Sequence, residues 1–264
     1  APDNAQQRHP LWWKVSGLAQ PGPALATFAV MLVLLGAATY YSRQLQTGDI
    51  GAGVPELRAE SRYNQDNATI ISNYAIGMDV LSVYVETVNL EEACLNWEVM
   101  NAIESLDLHL RGVAGVQSVS TIAGLTKLYA AGNNEANPRW AVLQRSEGGL
   151  RAGARAANPE NGLNTDGCKT IHLAIYLSDH QGSTLKHVMD EVQHFIDTHH
   201  LQNAVFRLAG GNAGVAAATN EAAEKAEVQM LLAIFASISL LCWLTFRSWR
   251  AVLCVVVPLT LVSI

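Results

Sequence analysis

Two runs of 19 residues without a charged side chain, Pro23 to Tyr41 (PALATFAVMLVLLGAATYY) and Val228 to Phe246 (VQMLLAIFASISLLCWLTF), constrain this chain of 264 residues more than any other feature. At about 1.5 Å of rise per residue each makes a helix about 28 Å long, the hydrocarbon thickness of a bilayer. The second run holds ten residues of the Leu, Ile, Phe and Val class. Each favours insertion by roughly 0.3–0.6 kcal/mol, and the sum of about 3–6 kcal/mol outweighs one Gln and a few hydroxyls. A third apolar run, Ala251 to Ile264, follows the short turn FRSWR. Burying three such helices inside a soluble protein would need a core that a chain of this length cannot surround, so all three are expected to be transmembrane. The first run is long, begins after 22 residues and lacks a convincing A-x-A cleavage pattern, so it is expected to stay as an anchor rather than leave as a signal peptide.

Basic residues near the spans set the expected orientation. Arg8 and Lys14 precede the first span, and Arg247 and Arg250 sit between the second and third, which marks these flanks as cytoplasmic. Trp12, Trp13, Tyr40, Tyr41, Trp243 and Trp249 fall near span ends, where amphipathic rings favour the headgroup layer, and LWWKVSGL reads as a short interfacial helix. The expected layout is a cytoplasmic tail and interfacial segment (1–22), a span (23–42), an extracytoplasmic domain (43–227), a span (228–246), a cytoplasmic turn (247–250) and a shortened span (251–264). The last run is still apolar where the sequence stops, and the polar stretch APDNAQQRHP opens it like a linker. The expectation is therefore a segment of a longer chain.

The intervening 184 residues, Gln44 to Glu227, carry 22 Asp plus Glu against 12 Lys plus Arg, a formal net of −10. That balance argues against nucleic acid or anionic headgroups as partners of this domain. It permits a cationic substrate, although a solvated acidic surface explains the charge more simply.

Within this segment a strand–helix–strand pattern occurs twice. In the first copy (78–122), MDVLSVYVETV (Met78 to Val88) alternates Val80, Ser82, Tyr84 and Glu86. Glu91 to Arg111 follows with Val99, Met100, Ile103, Leu106 and Leu110 at helical spacing, and Gly115-Val116 opens VQSVSTI. In the second copy (169–210), KTIHLAIYLSD alternates Ile171, Leu173, Ile175 and Leu177. Ser183 to His200 carries Leu185, Val188, Met189, Val192, Phe195 and Ile196 on one stripe, and AVFRLAG closes the unit. Two βαβ units predict an α+β, ferredoxin-like domain whose helices cover one sheet face and leave the other for a neighbour or partner. An insertion (124–167), rich in Asn, Gly and Ala, separates the copies, with a helix expected over Arg139 to Ala156.

Of four cysteines, Cys242 and Cys254 lie in apolar spans and read as small hydrophobes. Cys94 and Cys168 lie in the domain, where a disulfide is reasonable, with two free thiols or a metal pair as the alternatives. No C-x-x-C or adjacent His supports zinc. Closing a loop of about 75 residues would stabilise by about 4 kcal/mol in the chain-entropy model.

Other motifs are weaker. His187, Glu191 and His194 share a polar helical stripe with the spacing to hold a metal, but ordinary solvated residues fit the same pattern and H-E-x-x-H is absent. GGNAG (Gly210, Gly211 and Gly214) lacks the Lys-Ser/Thr of a phosphate loop, leads into the acidic helix TNEAAEKAEVQ and is read as a hinge to the second span. Asn67-Ala68-Thr69 matches a glycosylation pattern only and is given no role. No catalytic constellation, cofactor site or nucleotide site is present, so an enzyme is not expected.

The segment TGDIGAGVPELRAESRYN (Thr47 to Asn64) after a span, the large βαβ-containing loop, the Cys94 and Cys168 contexts and the FRSWRA return together resemble the resistance-nodulation-division (RND) superfamily. The nearest likeness is to predicted exporters of the mycobacterial membrane protein large (MMPL) type, over about residues 10–264. The linker-like start places it in the second of that family's two halves. The resemblance implies a porter-type domain on the extracytoplasmic or periplasmic side of the cytoplasmic (inner) membrane, in a multi-pass protein. It also implies proton-driven export of hydrophobic or amphiphilic molecules, lipid-like compounds or drugs. Membrane lipids, the substrate and the remainder of the transporter would be the partners, with a homo-oligomer or accessory proteins as further ones and no nucleic acid. The family's relay acid lies in a half's fourth span, and neither full run here carries Asp, Glu, Lys, Arg or His, so the relay is expected elsewhere in the protein. Asp49, Gly51, Gly53 and Pro55 read either as a backbone turn or as the lining of a substrate entrance at the membrane surface. The competing readings are a membrane-anchored binding or assembly module and a lipid-sensing relative without efflux activity.

Overall fold

The computed structural model describes residues 20–42, 57–157 and 159–263, together with Val15, Gly17, Gly48 and Val54. The chain divides into two compact units, one formed by Ala1–Leu45 with Lys225–Ile264 and the other by Gln46–Glu224.

The first unit contains α1 (Pro21–Ser42), the apolar part of the long helix α7 (Gly211–Phe246) and α8 (Trp249–Ser263). The helices α1 and α7 are long and apolar enough to cross a membrane, and neither apolar stretch is buried within the fold. Leu25, Val33 and Leu232 are exposed by 75%, 71% and 65%, which distinguishes these helices from the core helix of a soluble protein. Arg247, at φ 47°, makes the break between α7 and α8, and the Trp243 and Trp249 rings meet across it with centroids 6.3 Å apart.

The second unit is built on four strands, β1 (Val80–Thr87), β2 (Val116–Ser120), β3 (Thr170–Leu177) and β4 (Ala204–Gly210). They form one antiparallel sheet in the order β2-β3-β1-β4. The strands of each sequence repeat are therefore not neighbours. β3 lies between β1 and β2, and β1 lies between β3 and β4, which is a pair of split βαβ units. The crossover helices are α3 (Trp97–Leu110) and α6 (Gly182–Thr198).

Register explains the burial. Val83 pairs with Leu173, and Val85 with both Ile171 and Phe206, so the odd positions of β1 and β3 share one face. Leu81, Val83, Val85, Ile171, Leu173, Ile175 and Leu177 are all fully buried there. They form one cluster with Met100, Ile103, Leu106 and Leu110 of α3 and Leu185, Val188, Val192 and Phe195 of α6. Arg111 adds a polar tie from α3 to the sheet: it pairs with buried Asp107 at 2.7 Å and donates to Val119 O at 3.1 Å.

Several boundaries differ from the sequence expectation, and caps account for them. Asn96 accepts from Val99 N at 3.1 Å, so α3 starts at Trp97, and residues from Glu91 onward instead lead into a separate 3-10 turn, Ala93–Leu95. Thr121 accepts from Gly124 N at 3.0 Å and starts α4 (Ile122–Gly132), which ends β2 at Ser120 rather than at Ile122. The helix expected over Arg139 to Ala156 is only a turn at Pro138–Trp140 followed by α5 (Glu147–Ala154), capped by Ser146. Gly148, Gly149 and Gly153 weaken any longer helix there. An additional helix, α2 (Arg62–Asn73), precedes the sheet and was not read from the sequence.

Cys94 and Cys168 form a disulfide with Cα atoms 5.7 Å apart, joining the turn before α3 to the turn before β3. Glu92 N also donates to Gly167 O at 3.1 Å across this junction. Arg151 of α5 reaches the same place, 3.3 Å from Glu92 and 2.8 Å from Glu147. The hydrogen bond that Arg151 donates to Glu147, then the charge of Glu92, hold the guanidinium pKa above the usual range. Alkylating the denatured, unreduced chain should label Cys242 and Cys254 only. Replacing Cys94 and Cys168 by Ser should lower stability by about 2–4 kcal/mol in chemical denaturation.

Candidate functional site

Three chain segments converge at the end of the sheet where β1 begins: residues 78–80, the turn from β3 into α6, and the step from β4 into α7. Asp79 is 8% exposed and its Oδ1 lies 2.7 Å from His180 Nδ1. A carboxylate only accepts, so the imidazole proton sits on Nδ1. The neighbouring Asp179 accepts from Gln181 N at 3.0 Å and thereby shapes the entry to α6. From the third segment, Asn212 Nδ2 donates to Asp79 Oδ1 at 3.1 Å, and Val80 N donates to Asn212 Oδ1 at 2.8 Å.

The three glycines read as a hinge behave differently. Gly211 is at φ +77°, and its Cα lies against the Val80 carbonyl, so a side chain there would strike backbone. This position requires glycine on both counts. A methyl at Gly210 would meet nothing closer than 3.8 Å, and one at Gly214 would sit 3.5 Å from Leu81 Cδ1, an ordinary contact. What the structure displays at this corner is close packing, with Ala213 and Ala217 buried in the core cluster and α7 running without a break from Gly211 to Phe246.

Asp49, Gly51, Gly53 and Pro55 lie outside the described residues. Around them, Gly48 is at φ +110°, and a side chain there would meet Asn220 Nδ2 of α7 at 2.5 Å and Gly182 Cα of α6 at 3.1 Å. The end of the same motif is fixed by Asn64, which the sequence reading quoted without assigning a role. Its Oδ1 accepts from Val54 N at 3.0 Å, its Nδ2 donates to Arg58 O at 3.1 Å, and Ser61 caps α2 beneath it. An Asn three residues after a Ser that opens a polar helix was the available signal, but its partners are set by how the preceding loop folds back. One turn further on, Asn67 is 7% exposed and its Oδ1 has no hydrogen-bond partner among the described residues, so the amide of the Asn67-Ala68-Thr69 pattern is buried in the fold.

Of the polar stripe on α6, His187 and His194 are exposed. Glu191 pairs with His109 of α3 at 3.1 Å, and no group of three or more His, Cys, Asp or Glu among the described residues is arranged to hold a metal. On the sheet face away from the helices, His172 Nε2 lies 2.9 Å from Ser82 Oγ and Nδ1 lies 3.1 Å from Gly162 O, while the ring stacks on Tyr84 at 4.9 Å. A serine and histidine at this distance have the spacing of nucleophile and base. Ser82 is only 4% exposed, and the pair ties β1 to β3 and to the loop at Gly162 rather than opening to a substrate. Tyr84 and Tyr176 lie half-buried on that same face.

Compared with models of known protein families and with curated proteins, the sequence matches none.

The glycine geometry separates two substitutions. Gly211→Ala should cost about 2 kcal/mol or more, because a methyl meets backbone in a left-handed conformation. Gly214→Ala, inside a helix with room for the methyl, should be neutral or stabilise by about 0.5–1 kcal/mol. Thermal unfolding of the two variants of the whole chain reads the difference.

Proposed function

We propose that this chain is part of an RND-type exporter of hydrophobic or amphiphilic molecules, in which the split βαβ unit is a porter-type domain outside the cytoplasmic membrane. The observation that carries the reading is α7. A single helix starts on the sheet at Gly211 and continues through the charge-free run to Phe246, so the folded domain leads in sequence directly into a candidate span. The acidic domain, the basic flanks at Arg247 and Arg250 and the motif from Thr47 to Asn64 support the same reading.

In this proposal the domain selects and passes cargo by changing conformation, without covalent chemistry. The driving protons move through acidic residues elsewhere in the transporter, since α1 and the charge-free run of α7 contain no Asp, Glu, Lys, Arg or His. Asp49, Gly51, Gly53 and Pro55 are proposed as residues of the substrate entrance. The remainder of the transporter completes the cleft.

Expression of the natural full-length protein in cells loaded with an amphiphilic fluorescent dye tests this. Dye should leave faster than from cells without the protein, and a protonophore should abolish the difference. Replacing the intramembrane Asp or Glu that this reading assigns to the rest of the transporter by its amide should do the same. Unchanged dye retention, with the protein inserted in the membrane, would favour a membrane-anchored binding or assembly module instead.

A further inference from the structure

One side chain fastens the root of α7 to the sheet. Asn212, the second residue of the helix, turns its amide back onto the start of β1. Its Oδ1 accepts from Val80 N at 2.8 Å, and its Nδ2 donates to Met78 O at 3.2 Å and to Asp79 Oδ1 at 3.1 Å. The carbonyl of one residue and the amide two residues later are the pair that a neighbouring antiparallel strand would satisfy. β4 has stopped pairing by then, its last partner being Ser82 opposite Gly210, with a register shift between Ser82 and Val83. A helix side chain therefore extends the ladder that β4 no longer supplies.

The apolar contacts at this root are made by small residues. Ala213 and Ala217 bring one methyl each to the core, and Gly214 brings none. Lys186 and Glu224 approach to 3.6 Å, but with side chains 68% and 56% exposed they add little. Gly211, at φ +77°, supplies a backbone joint immediately before the clasp. The β1 and β3 strands behind it are held by fully buried Leu81, Val83, Leu173 and Ile175.

From this contrast the geometry points to Asn212 as a release clasp. When its amide lets go, residues 211–217 leave the sheet together, pivoting at Gly211, while β1 and β3 keep their register. Asn212 is thus a positioning residue for the helix root, and the inference holds whatever the protein transports.

Hydrogen exchange followed by mass spectrometry on the whole 264-residue chain in detergent micelles tests it. In the unaltered protein, peptides covering 78–82 and 211–218 should exchange in step, and faster than a peptide covering 171–177. Asn212→Ala should accelerate the first two by about tenfold and leave the third unchanged. Asn212→Asp has nearly the same shape but sets a carboxylate against Met78 O and Asp79, so it should accelerate them at least as much. Native exchange in Asn212→Asp would overturn the inference, because side-chain shape alone would then suffice. So would unchanged exchange in Asn212→Ala, acceleration that spreads to 171–177, or failure of that variant to fold, since each would place Asn212 outside a local clasp.

Discussion

Strand β1 is the member of the second unit on which the rest depends. It lies between β3 and β4, and burial of Leu81, Val83 and Val85 under α3 and α6 fixes which of its faces points inward. A slip of one residue would turn those three side chains outward and bring Ser82, Tyr84 and Glu86 into the core, so the register is strongly specified. The ends of β1 are then held by chemistry rather than by apolar packing. Asn212 and His180 meet its first residues, and Thr87 N donates to Lys169 O at 3.0 Å near the disulfide junction.

That arrangement separates the unit into regions of different firmness. The disulfide, the Glu92–Gly167 bond and the Arg151 pairs gather at the turns preceding α3 and β3. The corner at Gly211 has alanines, glycines and the polar side chains of Asn212, Asp79 and His180 instead. The apolar contacts of this corner come from alanine methyls and closely approaching glycine backbone, not from large side chains. The corner is also the point from which α7 leaves the sheet.

Much of the architecture was legible locally. Ile171, Leu173, Ile175 and Leu177 alternate in sequence, and all four are buried on one face. The stripe on α6 reads the same way, with Leu185, Val188, Val192 and Phe195 in the core. The insertion was less legible because short helices there are set by single caps, Thr121 and Ser146, among glycines that blur the periodicity. Of the site residues, Gly211 was found but could not be told from Gly210 and Gly214, since the distinction comes from a Val80 carbonyl across the sheet.

By itself the sequence determined the lengths of the apolar runs, the alternation of the strands and the helical stripes, because each depends on residues a few positions apart along one element. Only the tertiary structure decided that the sheet runs β2-β3-β1-β4, and that Asn212 closes onto Val80 from 132 positions away. Strand order and long-range hydrogen bonds are chosen by the joint burial of all four strands and two helices, a condition that no short stretch of the chain contains.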